Sequence, residues 1–411
     1  MNTDKIVNAH FPRAGSGEKT PPKRVLIVAG ETSGDMYAAS LIDVMMARGI
    51  PLEVFAVGGP QLRKRPAKLL YDSADWAAIG YIESIKLAPR LLVVLRHLYR
   101  FLAEEKPDLV ILVDYPGFNM RLARKARSLG IPTLYYFPPS KFAANPADVA
   151  DAARTLTCVA ANFTSTYKLY KDAGANVEFV GHPLIDQARP TMTREETMKE
   201  FGLDPERPVI GLCPGSRKSE LIHLLPVMLD AAKILLKKIP ELQFVVPVIA
   251  TGSSDVYGIP KCDLHRQLED SGLPVKIVEG RIYDVMAVSK LLLISSGTAT
   301  LEATHIGTPM IIGYRVSLFT EIMAKLFNKL PRFIGLPNII IGRQAVPELI
   351  QHDFTSENLA RHALELLESP ELLTAQKAAL AEAITHLGQP GAHNRVADLA
   401  FGLLQSPQEK C

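Results

Sequence analysis

Tryptophan and cysteine are scarce in this chain of 411 residues: there is one tryptophan, Trp76, and there are four cysteines. Cys158, Cys213, Cys262 and Cys411 are scattered, and none sits in a Cys-x-x-Cys pair. That spacing argues against a cysteine-based zinc site and a disulfide framework, and it fits a reducing compartment. No stretch reaches the roughly 18 apolar residues that a spanning helix needs. Residues 1–23 are polar, carry Arg13, Lys19, Lys23 and the pair Pro21-Pro22, and have no apolar core. They read as a disordered tail rather than a signal peptide. Charge of one sign is also lacking: Lys and Arg number 46, Asp and Glu 43, a net charge of +3. So small a surplus does not suggest a nucleic-acid binder. The cytoplasm is the expected compartment.

What is present is an ordinary globular mix, 47% hydrophobic and 22% charged, in a chain long enough for two or more cores. Apolar, β-branched runs alternate with helical patterns. Val25–Val28, Leu52–Val57, Leu109–Val113, Thr133–Phe137 and Val177–Val180 form a first series. After a polar stretch near 186–207 the pattern restarts with Val209–Cys213, Phe244–Val248, Val275–Val278, Leu291–Ile294 and Pro309–Gly313. From about residue 355 the text is helical. Continuous apolar strands separated by helices predict parallel sheets covered on both faces. The fold class is therefore α/β, with two Rossmann-like, doubly wound domains facing a cleft at the carboxyl ends of their strands.

The loops at those strand ends carry the chemistry. Gly30-Glu31-Thr32-Ser33-Gly34-Asp35 follows the first strand and opens a helix. Its two acids suit a helix N-terminus but would repel phosphate, so the turn fits a hydroxyl-rich or cationic ligand, or is simply capped by Ser33 or Asp35. Asp114 ends a wholly apolar strand, where burial can raise a carboxyl pKa toward general-base work; an Asp before Pro and Gly also forms turns. His182, held extended before Pro183, suits ligand binding or loop capping equally. In the second half, Pro214-Gly215-Ser216-Arg217-Lys218-Ser219-Glu220 offers N–H groups and a cation to an anion. Ser295-Ser296-Gly297-Thr298-Ala299-Thr300-Leu301-Glu302 offers a glycine and hydroxyls at a helix start for a diphosphate, with Glu302 placed for ribose hydroxyls. Ile334–Arg343 reads as an apolar loop carrying Asn338 and Arg343. Two apolar stretches with positive charge, 85–100 and 319–333, suit an anionic membrane surface or acyl chains, or are core helices with snorkelling lysines.

Taken together in this order, the Gly30–Asp35 turn, Asp114 with Phe118-Asn119, Phe179–Pro183, Pro214–Glu220, Ser296–Glu302, Gly313-Tyr314-Arg315, and Leu336-Pro337-Asn338 with Gly342-Arg343 resemble the lipid-A-disaccharide synthase family. The resemblance spans roughly residues 24–400. It implies a GT-B fold, with an acceptor domain at 24–186, a UDP-sugar domain at 200–385, and a C-terminal helix at 386–411 that returns to the first domain or packs on a partner subunit. It also implies an inverting, UDP-dependent hexosyl transfer in lipid A biosynthesis, from UDP-2,3-diacylglucosamine to 2,3-diacylglucosamine 1-phosphate.

The same resemblance implies Asp114 as the catalytic base. Arg217, Glu220, Ser296, Gly297, Thr298, Ala299 and Glu302 would bind UDP. Glu31, Ser33, Asp35, His182, Asn338 and Arg343 would line the substrate site. No metal and no cofactor are implied, since the UDP-sugar is a substrate. The expected setting is the inner membrane surface, with the protein peripherally bound from the cytoplasm; some members of the family form dimers through an exchanged C-terminal segment, and the resemblance leaves a homodimer open here. One segment departs from the family pattern: Pro139-Ser140-Lys141-Phe142-Ala143-Ala144-Asn145 replaces a run with two tryptophans and an arginine. That departure keeps open a divergent UDP-sugar transferase or a UDP-GlcNAc 2-epimerase-like enzyme with another acceptor. A non-catalytic UDP- or lipid-binding module is the alternative of another class.

Overall fold

The computed structural model describes residues 21–405 except 74–75, 77–80, 140–145, 216–217, 249–254, 257–258 and 316–331. Most of the tail 1–23, the divergent segment at 140–145, Ser216, Arg217 and nearly all of 319–333 therefore lie outside the described residues. The chain forms two compact units, Met1–Pro183 with Gly388–Cys411, and Leu184–Leu387.

The first unit is built on seven parallel strands: β1 (Lys23–Ala29), β2 (Leu52–Gly58), β3 (Lys68–Asp72), β4 (Leu109–Val113), β5 (Thr133–Tyr136), β6 (Cys158–Ala161) and β7 (Val177–Phe179). Their order is β3-β2-β1-β4-β5-β6-β7. Side chains alternate across the sheet, so β1 sends Val25, Ile27 and Ala29 to one face and Leu26 and Val28 to the other. Both faces are buried, which is why the strands read as unbroken apolar runs. On one face the helix Thr32–Ala47 buries Tyr37, Ala38, Leu41, Ile42 and Met45. The C-terminal helix Ala392–Gln405 joins it there through Val396, Ala397, Ala400, Phe401 and Leu404. Burying a side chain such as Val396, Phe401 or Leu404 contributes about 1.5–3 kcal/mol, enough to tie this distant segment to the first unit. Arg48 adds an ion pair to Asp398 and lies over the Phe401 ring.

The second unit has six parallel strands: β8 (Val209–Cys213), β9 (Gln243–Val248), β12 (Val275–Glu279), β13 (Leu291–Ser295), β14 (Met310–Tyr314) and β15 (Glu348–Ile350), in the order β12-β9-β8-β13-β14-β15. A separate antiparallel pair comprises β10 (Asp255–Val256) and β11 (Ile259–Pro260). The helix Lys218–Lys238 packs Leu221, Leu224, Leu225, Met228 and Leu235 into the larger core of this unit. Near its start, Asp284 accepts from the N–H groups of Thr191 and Met192 and pairs with Arg281, fixing the connecting stretch to the helix Ile282–Val288.

One local reading needs correction. Ile334–Arg343 is not all loop: Leu336–Ile341 is a short helix with Pro337 in its first turn and Gly342 closing it in the left-handed region. Proline is tolerated where the N–H has no helical partner, and glycine at the end accepts the positive φ, so an apolar run between them closes into a turn of helix. No helix among the described residues is long and apolar enough to cross a membrane.

Candidate functional site

In an open parallel sheet the ligand crevice lies where the strand order reverses. In the first sheet that point falls between β1 and β4, with Ala29 opposite Val113 at their carboxyl ends. The chain leaves β1 through Gly30-Glu31 and leaves β4 through Asp114-Tyr115. Gly30 is required by its neighbour, since a Cβ there would stand 2.4 Å from the Tyr115 ring.

Asp114 and Tyr115 are both left-handed, at φ of +51° and +50°. Each such residue costs about 1–2 kcal/mol when it is not glycine. The turn is held from behind: the Asp114 carbonyl accepts from Asn119 Nδ2 at 2.7 Å and from the Tyr135 hydroxyl at 2.8 Å. The Asp114 carboxylate accepts the Tyr115 N–H at 2.8 Å. Burial first, and the negative charge of Glu31 second, push the Asp114 pKa up to about 6, against the pull of that N–H. A carboxylate so poised is ionised at neutral pH yet basic enough to take a proton from a hydroxyl.

The other residues expected in the first unit divide. Glu31 is exposed beside Asp114 and starts the helix Thr32–Ala47 without a capping bond from its own side chain; Ser33 is half-buried. Asp35 is a correction as a cap: the N-cap of its helix is Glu31, and Asp35 does not cap it. At 2% exposure its carboxylate accepts the N–H groups of Gly59 (2.7 Å), Gln61 (2.8 Å) and Leu62 (3.1 Å), fixing the turn after β2. His182 is also buried, among the rings of Tyr37, Phe137 and Phe163. Burial and the neighbouring His393 drive its pKa down to about 3, so its imidazole is neutral at pH 7.

In the second sheet the order reverses between β8 and β13. Pro214-Gly215 leaves β8, and Glu220 stands over this turn: a Cβ on Gly215 (φ +114°) would be 2.2 Å from its carboxylate. After β13, the Ser296 hydroxyl donates to the Ile334 carbonyl at 2.8 Å. Gly297, at φ +159° and ψ −164°, opens the helix Thr298–Ile306, and its Cα hydrogen faces open space. Gly297 and Thr298 are exposed and Ala299 is half-buried, so the first N–H groups of a nine-residue helix are accessible. That is an anion site in form. Further in, Glu302 accepts from the Tyr283 hydroxyl at 3.1 Å, and burial raises its pKa.

Two residues expected at the substrate site have protein partners within this unit. Asn338, fully buried, donates to the Val346 carbonyl and to Glu348 Oε1 and accepts from the N–H groups of Ala345 and Val346. Its amide is filled by the loop it folds. Arg343 is exposed and pairs with Glu382 on the helix Pro370–Thr385. Sequence reasoning assigned no role to the residues that hold the site: Asn119, quoted only as part of a motif, and Tyr135 behind Asp114, Tyr283 on Glu302, and Glu348, which accepts the N–H groups of Ile334 and Gly335. Asn119 alone had a signal, five residues after a strand-end aspartate. Among the described residues no cluster of His, Cys, Asp and Glu could hold a metal ion.

Comparison with known proteins gives the family and the fold. The lipid-A-disaccharide synthetase family model matches residues 25–400. The lipid-A-disaccharide synthase of Trichlorobacter lovleyi is 38% identical over 384 residues, covering 93% of this chain and 98% of that protein. That of Nitrosococcus oceani is 36% identical over 381 residues, covering 93% and 96%. Among solved structures, UDP-GlcNAc 2-epimerase from Neisseria meningitidis bound to UDP-GlcNAc superposes with a TM-score of 0.58 at 17% identity, covering 93% of this chain and 100% of that one. The Methanocaldococcus jannaschii UDP-GlcNAc 2-epimerase gives 0.54 at 12% identity, covering 92% and 99%. At such identities the likeness speaks for the fold alone.

Proposed function

The chain belongs to the lipid-A-disaccharide synthase family and is a glycosyltransferase of lipid A biosynthesis, and we propose that it joins UDP-2,3-diacylglucosamine to 2,3-diacylglucosamine 1-phosphate. The products are the β-1,6-linked disaccharide phosphate and UDP. In this reading Asp114 takes the proton of the acceptor 6-hydroxyl as that oxygen attacks the anomeric carbon of the donor. The bond from that carbon to the UDP oxygen breaks on the opposite face, so configuration inverts. The charge passing to the diphosphate is met by the N–H groups at Gly297, Thr298 and Ala299, with Arg217 as the cation. Glu302 accepts from the ribose hydroxyls, Ser296 and Glu220 shape the two turns, and Glu31 and Ser33 face the acceptor sugar. No cofactor enters the scheme.

The observation that carries this reading is Asp114: a half-buried carboxylate at the switch point of its sheet, poised near pH 6. The setting is the inner membrane surface, with the protein bound peripherally from the cytoplasm. The helix Tyr81–Glu105 supports that placement, since Leu92 and Val93 are exposed on it together with Arg96 and Arg100. Apolar tips beside arginines suit an anionic lipid surface. A homodimer belongs to the same reading, with Ala392–Gln405 as the element that copies would exchange.

The test is a transfer assay on purified protein with the two diacylglucosamine substrates, following UDP and the disaccharide by mass spectrometry, with and without a chelator. Disaccharide formation at equal rates in both is expected. Binding of UDP without disaccharide would overturn the acceptor assignment and point to another acceptor.

A further inference from the structure

Two consecutive left-handed residues with side chains are an expensive way to end a strand. An aspartate could leave β4 in a relaxed turn, and its carboxylate would then swing toward water. Here the backbone around Asp114 is gripped by a side chain whose hydrogen-bonding capacity is turned to that task. Asn119 is fully buried at the end of the first turn of the helix Pro116–Ser128. Its Nδ2 lies 2.7 Å from the Asp114 carbonyl, 3.2 Å from that of Val113 and 3.5 Å from that of Val28. It thus bridges the last residues of β4 to β1, across the switch point. Its Oδ1 has no hydrogen-bond partner among the described residues, so the amide acts as a donor only. Tyr135 approaches the same Asp114 carbonyl from β5, its hydroxyl donating at 2.8 Å.

We propose that Asn119, seconded by Tyr135, is the positioning residue of the transfer reaction, locking the Asp114–Tyr115 backbone so that the Asp114 carboxylate is presented to the acceptor hydroxyl. Neither side chain touches substrate; both act through the Asp114 carbonyl. The inference rests on Asp114 being the base. A buried donor bonded to a carbonyl contributes modestly to stability, but a base displaced by an ångström loses far more in rate. The other titratable groups acting on the Asp114 carboxyl are Glu31, whose charge raises its pKa, and Tyr135 behind it.

The test compares full-length wild type with Asn119→Ala, Tyr135→Phe and Asp114→Asn, measuring kcat, KM for the UDP-sugar and the pH profile of kcat/KM. For Asn119→Ala a fall in kcat of about 10-fold or more is expected with KM for the donor nearly unchanged. The acidic limb, near pH 6 in wild type, moves toward the ordinary carboxylate range as the carboxyl gains water. Tyr135→Phe, which removes one oxygen and leaves the core shape, shows the same changes at smaller size, and it decides the matter if Asn119→Ala fails to fold. Wild-type kcat and an unmoved limb in the folded variants, with kcat of Asp114→Asn down about 100-fold or more, would overturn the positioning role alone. An active Asp114→Asn would instead overturn the base assignment beneath it.

Discussion

Two aspartates sit close to the carboxyl ends of β1 and β4, and they have opposite fates. Among the described residues, Asp35 receives three backbone N–H groups from the turn after β2, whereas Asp114 receives one and faces Glu31. A buried carboxylate with its lone pairs filled is a structural acceptor. One with a single donor and a like charge nearby is held ready to bind a proton. Residue type and distance from a strand end do not separate the two; the count of donors does.

The largest expected effect comes from breaking the reactive member. Asp114→Asn should lower kcat by about 100-fold or more, read in the transfer assay, because no base remains at the hydroxyl. The same change should raise stability at neutral pH. The folded pKa of about 6 lies above the ordinary value of 3.8, so the wild type bears the cost of a buried charge above pH 6 and loses that cost as pH falls toward 3.8. Denaturation at neutral and at acidic pH should therefore show a gain of about 2–3 kcal/mol that fades on acidification.

Asp35→Ala should do the reverse, leaving three N–H groups without an acceptor. A stability loss of about 3 kcal/mol is expected by urea denaturation, with kcat of the folded fraction little changed. Asn338→Ala should behave like Asp35→Ala, with a loss of about 2 kcal/mol, because its amide folds the 345–348 loop. Gly297→Ala has space for its methyl but not the backbone freedom for φ +159°, so the N–H groups should shift and KM for the UDP-sugar rise by about 5-fold. Arg343→Ala should change both stability and rate least, by under about 0.5 kcal/mol, since it removes only an exposed ion pair.

The frame of both sheets was legible because buried parallel strands are continuous apolar runs. β3, β6 and β15 escaped notice for separate reasons. Lys68–Asp72 is a half-exposed edge strand with charged ends, Cys158–Ala161 consists mostly of small residues, and Glu348–Ile350 spans three residues. The strand-end turns carrying Asp114 and Gly297 could be located from their spacing. The state of each polar side chain could not, because its partners are distant in the chain. The donors to Asp35 come from 24 to 27 residues away, and the partner of Arg343 from 39. Nothing local distinguishes a carboxylate awaiting a ligand from one already filled.

The pH dependence of kcat/KM for the acceptor tests the central claim most directly. The account predicts a single acidic limb with its midpoint near pH 6, activity falling below it as Asp114 takes a proton, and no such limb in the residual activity of Asp114→Asn. A wild-type profile that stays flat through pH 6, or a limb that survives the substitution, would contradict Asp114 as the base.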